Sequence, residues 1–160
     1  MSEQDPDSGP AFKVPHDLRA EQLLLGTTMR SKDAVADVVE ILHPASFYRP
    51  AHELIHNAVL ELYAAGESTD PIRVAGKLTE QGLLARAGGR DYLHKLVNMV
   101  RSTAEAEALA TLVEDKALRR RLIVVAERID RAAHADAPTT DLIDQVQAEV
   151  HAVTTGHSPS

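Results

Sequence analysis

An all-α fold is predicted by three features of this 160-residue chain. Apolar residues return with helical spacing in seven successive segments. Ala and Leu dominate the apolar content, with 24 and 18 residues against five Phe and Tyr and no Trp, a composition that favours helix over sheet. Capping residues, Pro and Gly separate the segments. The predicted architecture is a small orthogonal helical globule over residues 15–101 followed by a long antiparallel helical hairpin over 102–153. Residues 1–14, with Asp5, Pro6, Asp7, Ser8, Gly9 and Pro10, and residues 154–160, with Gly156 and Pro159, hold little to bury and are expected to be disordered tails.

The elements follow in order. Asp17 is placed to cap a first helix carrying Leu18, Leu24 and Leu25 to about Arg30. Ser31 or Asp33 opens a second through Val35, Val38, Val39 and Leu42, which must stop before Pro44 because a residue preceding proline is pushed out of the α region. Pro50 suits the first turn of a third helix ending at Gly66, and Asp70-Pro71 is a cap and first-turn proline for a fourth, ending at Gly82. Gly88-Gly89 makes a loop before a fifth helix with Tyr92, Leu93, Leu96, Val97 and Val100. From a cap at Thr103 nothing breaks the sixth helix until Pro138, which allows more than about 30 residues, and Thr139 or Thr140 caps a seventh to about Val153.

The last two helices carry heptad-like stripes. Leu118, Leu122, Val125, Ile129 and Ala132 are spaced 4, 3, 4 and 3, and Ile143, Val146, Val150 and Val153 are spaced 3, 4 and 3. A two-helix hairpin cannot cover such stripes on every side. Leu118, Leu122, Val125, Ile129, Ile143, Val146 and Val150 are therefore the expected self-association or partner surface.

Composition excludes several classes of function. With no cysteine there is no disulfide scaffold, thiol nucleophile or Cys-based zinc finger. No run approaches the ~18 apolar residues of a membrane span, and the acidic start MSEQDPDSGP is no signal peptide, so a cytoplasmic chain without membrane contact is expected. The net charge is −7. Neither G-x-x-x-x-G-K-[ST] nor G-x-G-x-x-G occurs, which argues against nucleotide hydrolysis and for no cofactor.

Two motifs point elsewhere. His52-Glu53-Leu54-Ile55-His56 matches H-E-x-x-H on a helix, where two His one turn apart would take zinc and the Glu would polarise water. Around the helix, however, His52 lies at the edge of the apolar face and His56 nearer solvent, and no third ligand stands out. These are expected to be boundary histidines, and a zinc metallopeptidase through His52, Glu53 and His56 is the alternative. Lys116, Arg119, Arg120, Arg121, Arg128 and Arg131 could track phosphates, but Glu105, Glu107, Glu114, Asp115, Glu127 and Asp130 match them in number. Phe12, Phe47, Tyr48, Tyr63 and Tyr92 are too scattered for a stacking platform, so any DNA contact is expected to be indirect or weak, and a nucleic-acid-binding helical protein is the other alternative.

Taken in order, several strings form a signature. Pro15-His16-Asp17-Leu18-Arg19-Ala20-Glu21-Gln22 with Leu24-Leu25-Gly26, then Phe47-Tyr48-Arg49-Pro50-Ala51-His52, then Leu62-Tyr63 with Gly66 and Asp70-Pro71, then Gly82-Leu83-Leu84 with Gly88-Gly89 and Tyr92-Leu93, resemble the N-terminal domain of the DnaB-type replicative DNA helicases. The resemblance runs from about Val14 to Val153. It implies a helical globule and hairpin whose hairpins pack between subunits, so that these domains dimerise and build a collar, a trimer of dimers, on which primase docks. It also implies that the His-Glu-Leu-Ile-His string lies on a structural third helix. The family's ATPase motor, with its Walker motifs, has no counterpart in these 160 residues. The resemblance thus implies a non-catalytic homo-oligomeric module, a dimer through its hairpin, that binds helicase subunits or primase in DNA replication.

Overall fold

The computed structural model describes residues 14–155. Among them lie seven α-helices and no strand: α1 Leu18–Arg30, α2 Lys32–Val39, α3 Pro50–Ala64, α4 Pro71–Glu80, α5 Gly89–Met99, α6 Ala106–His134 and α7 Thr139–Thr155. The expected tails lie outside the described residues except at their inner ends, where Val14 has no regular structure and Thr154 and Thr155 belong to α7.

Local chemistry sets most helix starts. The carboxylate of Asp17 accepts from the Ala20 amide, the hydroxyl of Ser31 from the Ala34 amide, and the carboxylate of Asp70 from the Arg73 amide, each satisfying an orphan N–H of a first turn. Hydrogen bonds from Ser68 and the Arg73 amide hold the Asp70 carboxyl below its usual range, although partial burial pulls the other way.

Three boundaries differ from expectation. α2 stops at Val39, because the Ile41 and Leu42 amides both turn back onto the Val38 carbonyl at 3.1 and 2.9 Å. A short 3-10 turn over Pro44–Ser46 follows, and Leu42 is buried in the connection rather than in a helix. α6 starts at Ala106, three residues after Thr103, and is 29 residues long. In α7 the expected caps Thr139 and Thr140 are already helical, and the Pro138 carbonyl accepts from the Leu142 amide.

The chain divides into two compact units, His16–Ala117 and, among the described residues, 14–15 with 118–155. The dividing line cuts through α6. Ala106, Ala110, Val113 and Ala117 recur every three or four residues and are buried in the first unit, so the opening turns of that helix belong to the globule. In this unit α1 packs along α5 and also against α2 and α3, while α4 bridges α3 and α5. Leu24, Leu25, Ile55, Val59, Leu78, Leu93 and Leu96 are completely enclosed.

The crossing of α1 with α5 is close because of Gly26. A Cβ placed there would stand 2.2 Å from the Leu96 carbonyl oxygen and 2.6 Å from Val100 Cγ2, so only glycine permits this approach. Next to it Thr27 and Thr28 are buried with their hydroxyls returned to the Leu23 and Leu25 carbonyls at 2.6 and 2.9 Å.

Gly26→Ala is expected to lower stability by about 2 kcal/mol in urea unfolding, because the obstacle is a backbone carbonyl and cannot rotate away. Gly76→Ala, on the exposed side of α4 with nothing within 4 Å of the added carbon, should do the opposite and add up to about 1 kcal/mol. Equal effects at the two sites would contradict the close crossing.

Candidate functional site

Inside the globule two carboxylates are buried, Glu21 and Glu114. An unpaired buried carboxylate is costly enough that each must be met by donors. Glu21 lies on the enclosed face of α1, on the same stripe as Leu24, Leu25 and Thr28. Its oxygens accept from the Tyr48 amide at 2.8 Å, the Arg49 amide at 3.4 Å and His52 Nδ1 at 2.8 Å. Those amides stand at the start of α3, where Arg49 is the N-cap residue but makes no capping bond with its own side chain. Glu21 therefore caps α3 from another helix, and the positive end of the α3 dipole faces its charge.

The network continues through the imidazole. With Nδ1 donating to Glu21, Nε2 accepts from the Tyr92 hydroxyl, whose oxygen accepts from Gln22 Nε2 at 3.2 Å. Gly88 positions the tyrosine: its φ is 106°, and a Cβ there would come 2.6 Å from Tyr92 Cδ2, so the bare backbone lets the ring pass on its way to His52. The Tyr92 and His52 rings are nearly parallel, 3° apart in plane, with centroids 5.9 Å apart.

Glu114, from the opening turns of α6, does for the 3-10 turn what Glu21 does for α3. It accepts from the His43 amide at 3.4 Å, from His43 Nδ1 at 3.1 Å and from the Ser46 hydroxyl. The segment from His43 to His52 is thus held by a carboxylate at each end.

This geometry corrects the placement of both motif histidines. His52 and His56 are fully buried, not at the edge of the face and near solvent. The apolar residues of α3 alone underestimate its covered arc, because α1, α4 and the 3-10 turn all pack on it. His52 has both ring nitrogens committed, which leaves no lone pair for a metal. His56 packs against Phe47, with ring centres 5.0 Å apart, and neither of its nitrogens has a hydrogen-bond partner among the described residues. Burial pushes its pKa down to about 4. Glu53 is only half-buried. A zinc site across His52, Glu53 and His56 is incompatible with these placements.

In the second unit the seven expected interface residues separate into two sets. Leu118, Val125, Ile129 and Val146 are buried or half-buried. Together with Ala132 on α6 and Leu142 and Val153 on α7, they mark the least exposed stripes of the hairpin. Leu122, Ile143 and Val150 are 42%, 51% and 40% exposed, with Ile123 and Val124 exposed alongside. Arg120, from the basic run, donates to the Pro15 carbonyl at 2.8 Å.

Sequence reasoning missed Glu21 and Glu114. The available signal was an acidic residue in register with an apolar stripe, at 21, 24, 25 and 28 and at 106, 110, 113, 114 and 117.

Two outcomes are expected. Glu21→Gln should cost about 3 kcal/mol, since the two capped amides lose a charged acceptor, and hydrogen exchange at Tyr48 and Arg49 should quicken. For His56 the folded pKa lies below the unfolded value, so the unfolded chain binds the extra proton. Stability is then fully present above about pH 6.5 and falls by about 3 kcal/mol towards pH 4. In urea titrations across that range, His56→Phe should show a shallower decline than the wild type; an identical slope would refute the assignment.

The comparisons with known proteins agree with this architecture. The family model described as the DnaB-like helicase N terminal domain matches residues 13–115. The replicative DNA helicase DnaB of Leifsonia xyli is 46% identical over 153 residues, covering 95% of this chain and 34% of the helicase. That of Mycobacterium leprae is 44% identical over 142 residues, covering 87% and 24%. The chain thus spans about a third or less of the length of these curated relatives. A crystal structure of the N-terminal domain of DnaB helicase from Mycobacterium tuberculosis superposes with a TM-score of 0.82 at 44% identity, covering 86% of this chain and 97% of that one. With the matched model spanning well over half its length and a solved domain of the same all-α fold beside it, this chain belongs to the DnaB-like helicase N-terminal domain family.

Proposed function

We propose that this chain acts in DNA replication as a non-catalytic interaction and oligomerisation module, pairing with a second copy through its hairpin and binding helicase subunits, primase or both. The observation that carries the reading is the exposed apolar set Leu122, Ile143 and Val150 on a hairpin whose other stripe is buried at Val125 and half-buried elsewhere. Large aliphatic side chains left in water at helical spacing on two adjacent helices gain most by meeting their like. The names of the relatives, all replicative helicases, support the replication setting and the choice of partners. The globule contributes a base rather than chemistry: His52, Glu21 and Glu114 are spent on one another, on neighbouring side chains and on backbone amides. The cytoplasm, where replication proteins meet DNA, is the setting that fits; no helix among the described residues is long and apolar enough to cross a membrane.

Sedimentation of the purified chain tests the pairing. The wild type is expected to be dimeric at tens of micromolar. Leu122→Asp should weaken dimerisation about tenfold or more while helicity is unchanged, since the side chain already meets water in the single chain. Val125→Asp, which puts a charge into a covered position, should instead lower helicity and melting temperature. A wild type that stays monomeric, or a Leu122→Asp variant that sediments like it, rules out the hairpin as the contact. Retention of helicase and of primase on the immobilised chain, scored separately, decides the partner.

A further inference from the structure

A cleft of about 260 Å³ opens on the globule between α1 and the segment that joins α5 to α6. Its floor is apolar: Leu23, Met99 and Leu109 are half-buried and Val100 is buried. The α1 wall runs from Arg19 to Thr27, about 12 Å along the helix axis. The joining segment meets that wall at its Thr27 end, where Val100 faces Gly26 and gives its carbonyl to Arg30. Arg101 and Ser102 follow Val100 in the lining, so one guanidinium is based at each end of the floor. Arg19 and Arg101 are exposed, and neither makes a hydrogen bond or ion pair among the described residues. The Ser102 hydroxyl oxygen accepts from the Ala104 amide, which leaves its proton free to donate. Glu105, exposed just before α6, brings a carboxylate to the lining and is likewise unpaired among the described residues.

We propose that this cleft takes a segment of a partner protein in which one large apolar side chain stands between two carboxylates. This rests on the partner binding proposed above and gives it a place and a chemistry. The volume is below the roughly 300 to 1,000 Å³ of pockets that hold drug-sized ligands, so it suits a side chain better than a nucleotide or cofactor. An apolar side chain seated there covers Leu23, Met99 and Leu109, which are otherwise partly in water. Arg19 and Arg101 have no acid of their own chain to satisfy them, and the guanidinium fork matches a carboxylate. In an extended segment, side chains two residues apart point the same way, and residues four apart are separated by about 13 Å. The spacing acid-x-apolar-x-acid therefore brings three groups to one face at nearly the interval between the ends of the α1 wall. Glu105 opposes the acids, but two guanidiniums stand against it, and a basic segment would face the reverse. The net charge of −7 does not decide the matter, because exposed charges beyond about 10 Å are largely screened at 0.1 M salt.

An NMR titration of the full chain with the peptide Gly-Ser-Glu-Ser-Leu-Ser-Glu-Ser-Gly, at about 0.1 M NaCl, tests this. Amide shifts are expected to concentrate at Leu23, Thr27 and residues 100–102 and to saturate at millimolar peptide. Arg19→Glu with Arg101→Glu should weaken binding about tenfold, and Glu105→Gln should tighten it about twofold. Helicity should be unchanged in both, since none of these side chains holds another described residue. Arginines with a merely structural role would not give effects of opposite sign to that of Glu105. A peptide with Gln for both Glu, or with Ser for Leu, should bind about tenfold more weakly. The absence of saturable shifts, shifts confined to the hairpin, or equal affinity for the Gln peptide overturns the proposal. Undiminished retention of helicase and primase by the Arg19→Glu, Arg101→Glu variant also overturns the cleft as the partner site, and leaves the interaction module standing. A wild-type chain that retains neither protein removes that module, and the partner named here with it.

Discussion

The Glu21 carboxylate is the interaction on which the globule depends. It is buried on α1, and its charge has to be met by donors that come from somewhere else in the chain. Those donors are the amides of Tyr48 and Arg49 and the imidazole of His52, all at the start of α3. Satisfying one side chain therefore fixes where α3 begins, how it is turned and which residue faces α1. Tyr92 on the far side of His52 extends the same constraint to α5, and Gln22 closes it back onto α1. An apolar core tolerates small slips of one helix on another; a network in which each donor has one acceptor does not. The aliphatic residues supply most of the gain from burial, and Glu21 supplies the register.

Much of the fold was legible because its signals are local. Asp17, Ser31 and Asp70 cap the helices that follow them, and Pro50 and Pro71 stand in first turns, as their types and positions require. The capping of α3 was not legible. Its N-cap position, Arg49, uses no side chain of its own because Glu21, 28 residues earlier, does the capping. The same holds for the 3-10 turn at Pro44–Ser46, whose His43 amide and Ser46 hydroxyl are met by Glu114. Spacing along a sequence cannot show a cap that arrives from a distant helix. The burial of His52 and His56 was hidden for the same reason, since the arc covered on α3 is set by α1, α2, α4 and the 3-10 turn and not by its own apolar residues.

The two units contrast in how they use apolar surface. In the globule, residues such as Leu24, Leu93 and Leu96 are enclosed completely, and small residues, Gly26 on α1 and Ala106, Ala110 and Ala117 on α6, occupy enclosed positions. Among residues 118–155 only Val125 is buried, and the heptad-like pattern on α6 and α7 divides into half-buried and exposed residues. The sequence pattern alone could not divide it, because a stripe facing the neighbouring helix and a stripe facing outwards differ by about one residue in seven. Leu118 and Leu122 illustrate this: four residues apart on one helix, the first is half-buried and the second 42% exposed.

The strings that carry the family resemblance turn out to be parts of one structure. Asp17 to Gln22 contains Glu21 and Gln22, Phe47 to His52 contains the two capped amides and the imidazole, and the Gly88-Gly89 turn with Tyr92 contains the ring and the bare backbone that lets it through. Far apart in sequence, they meet around a single carboxylate. Taken singly each string is a common sort of helix start or turn, and no one of them has a reason to keep its residues. Taken together they have one, because removing any member leaves a buried donor or acceptor without its partner. In this chain the strings that carry the resemblance are the ones that lock the first, third and fifth helices together. The exposed residues Leu122, Ile143 and Val150 of α6 and α7 take no part in that lock.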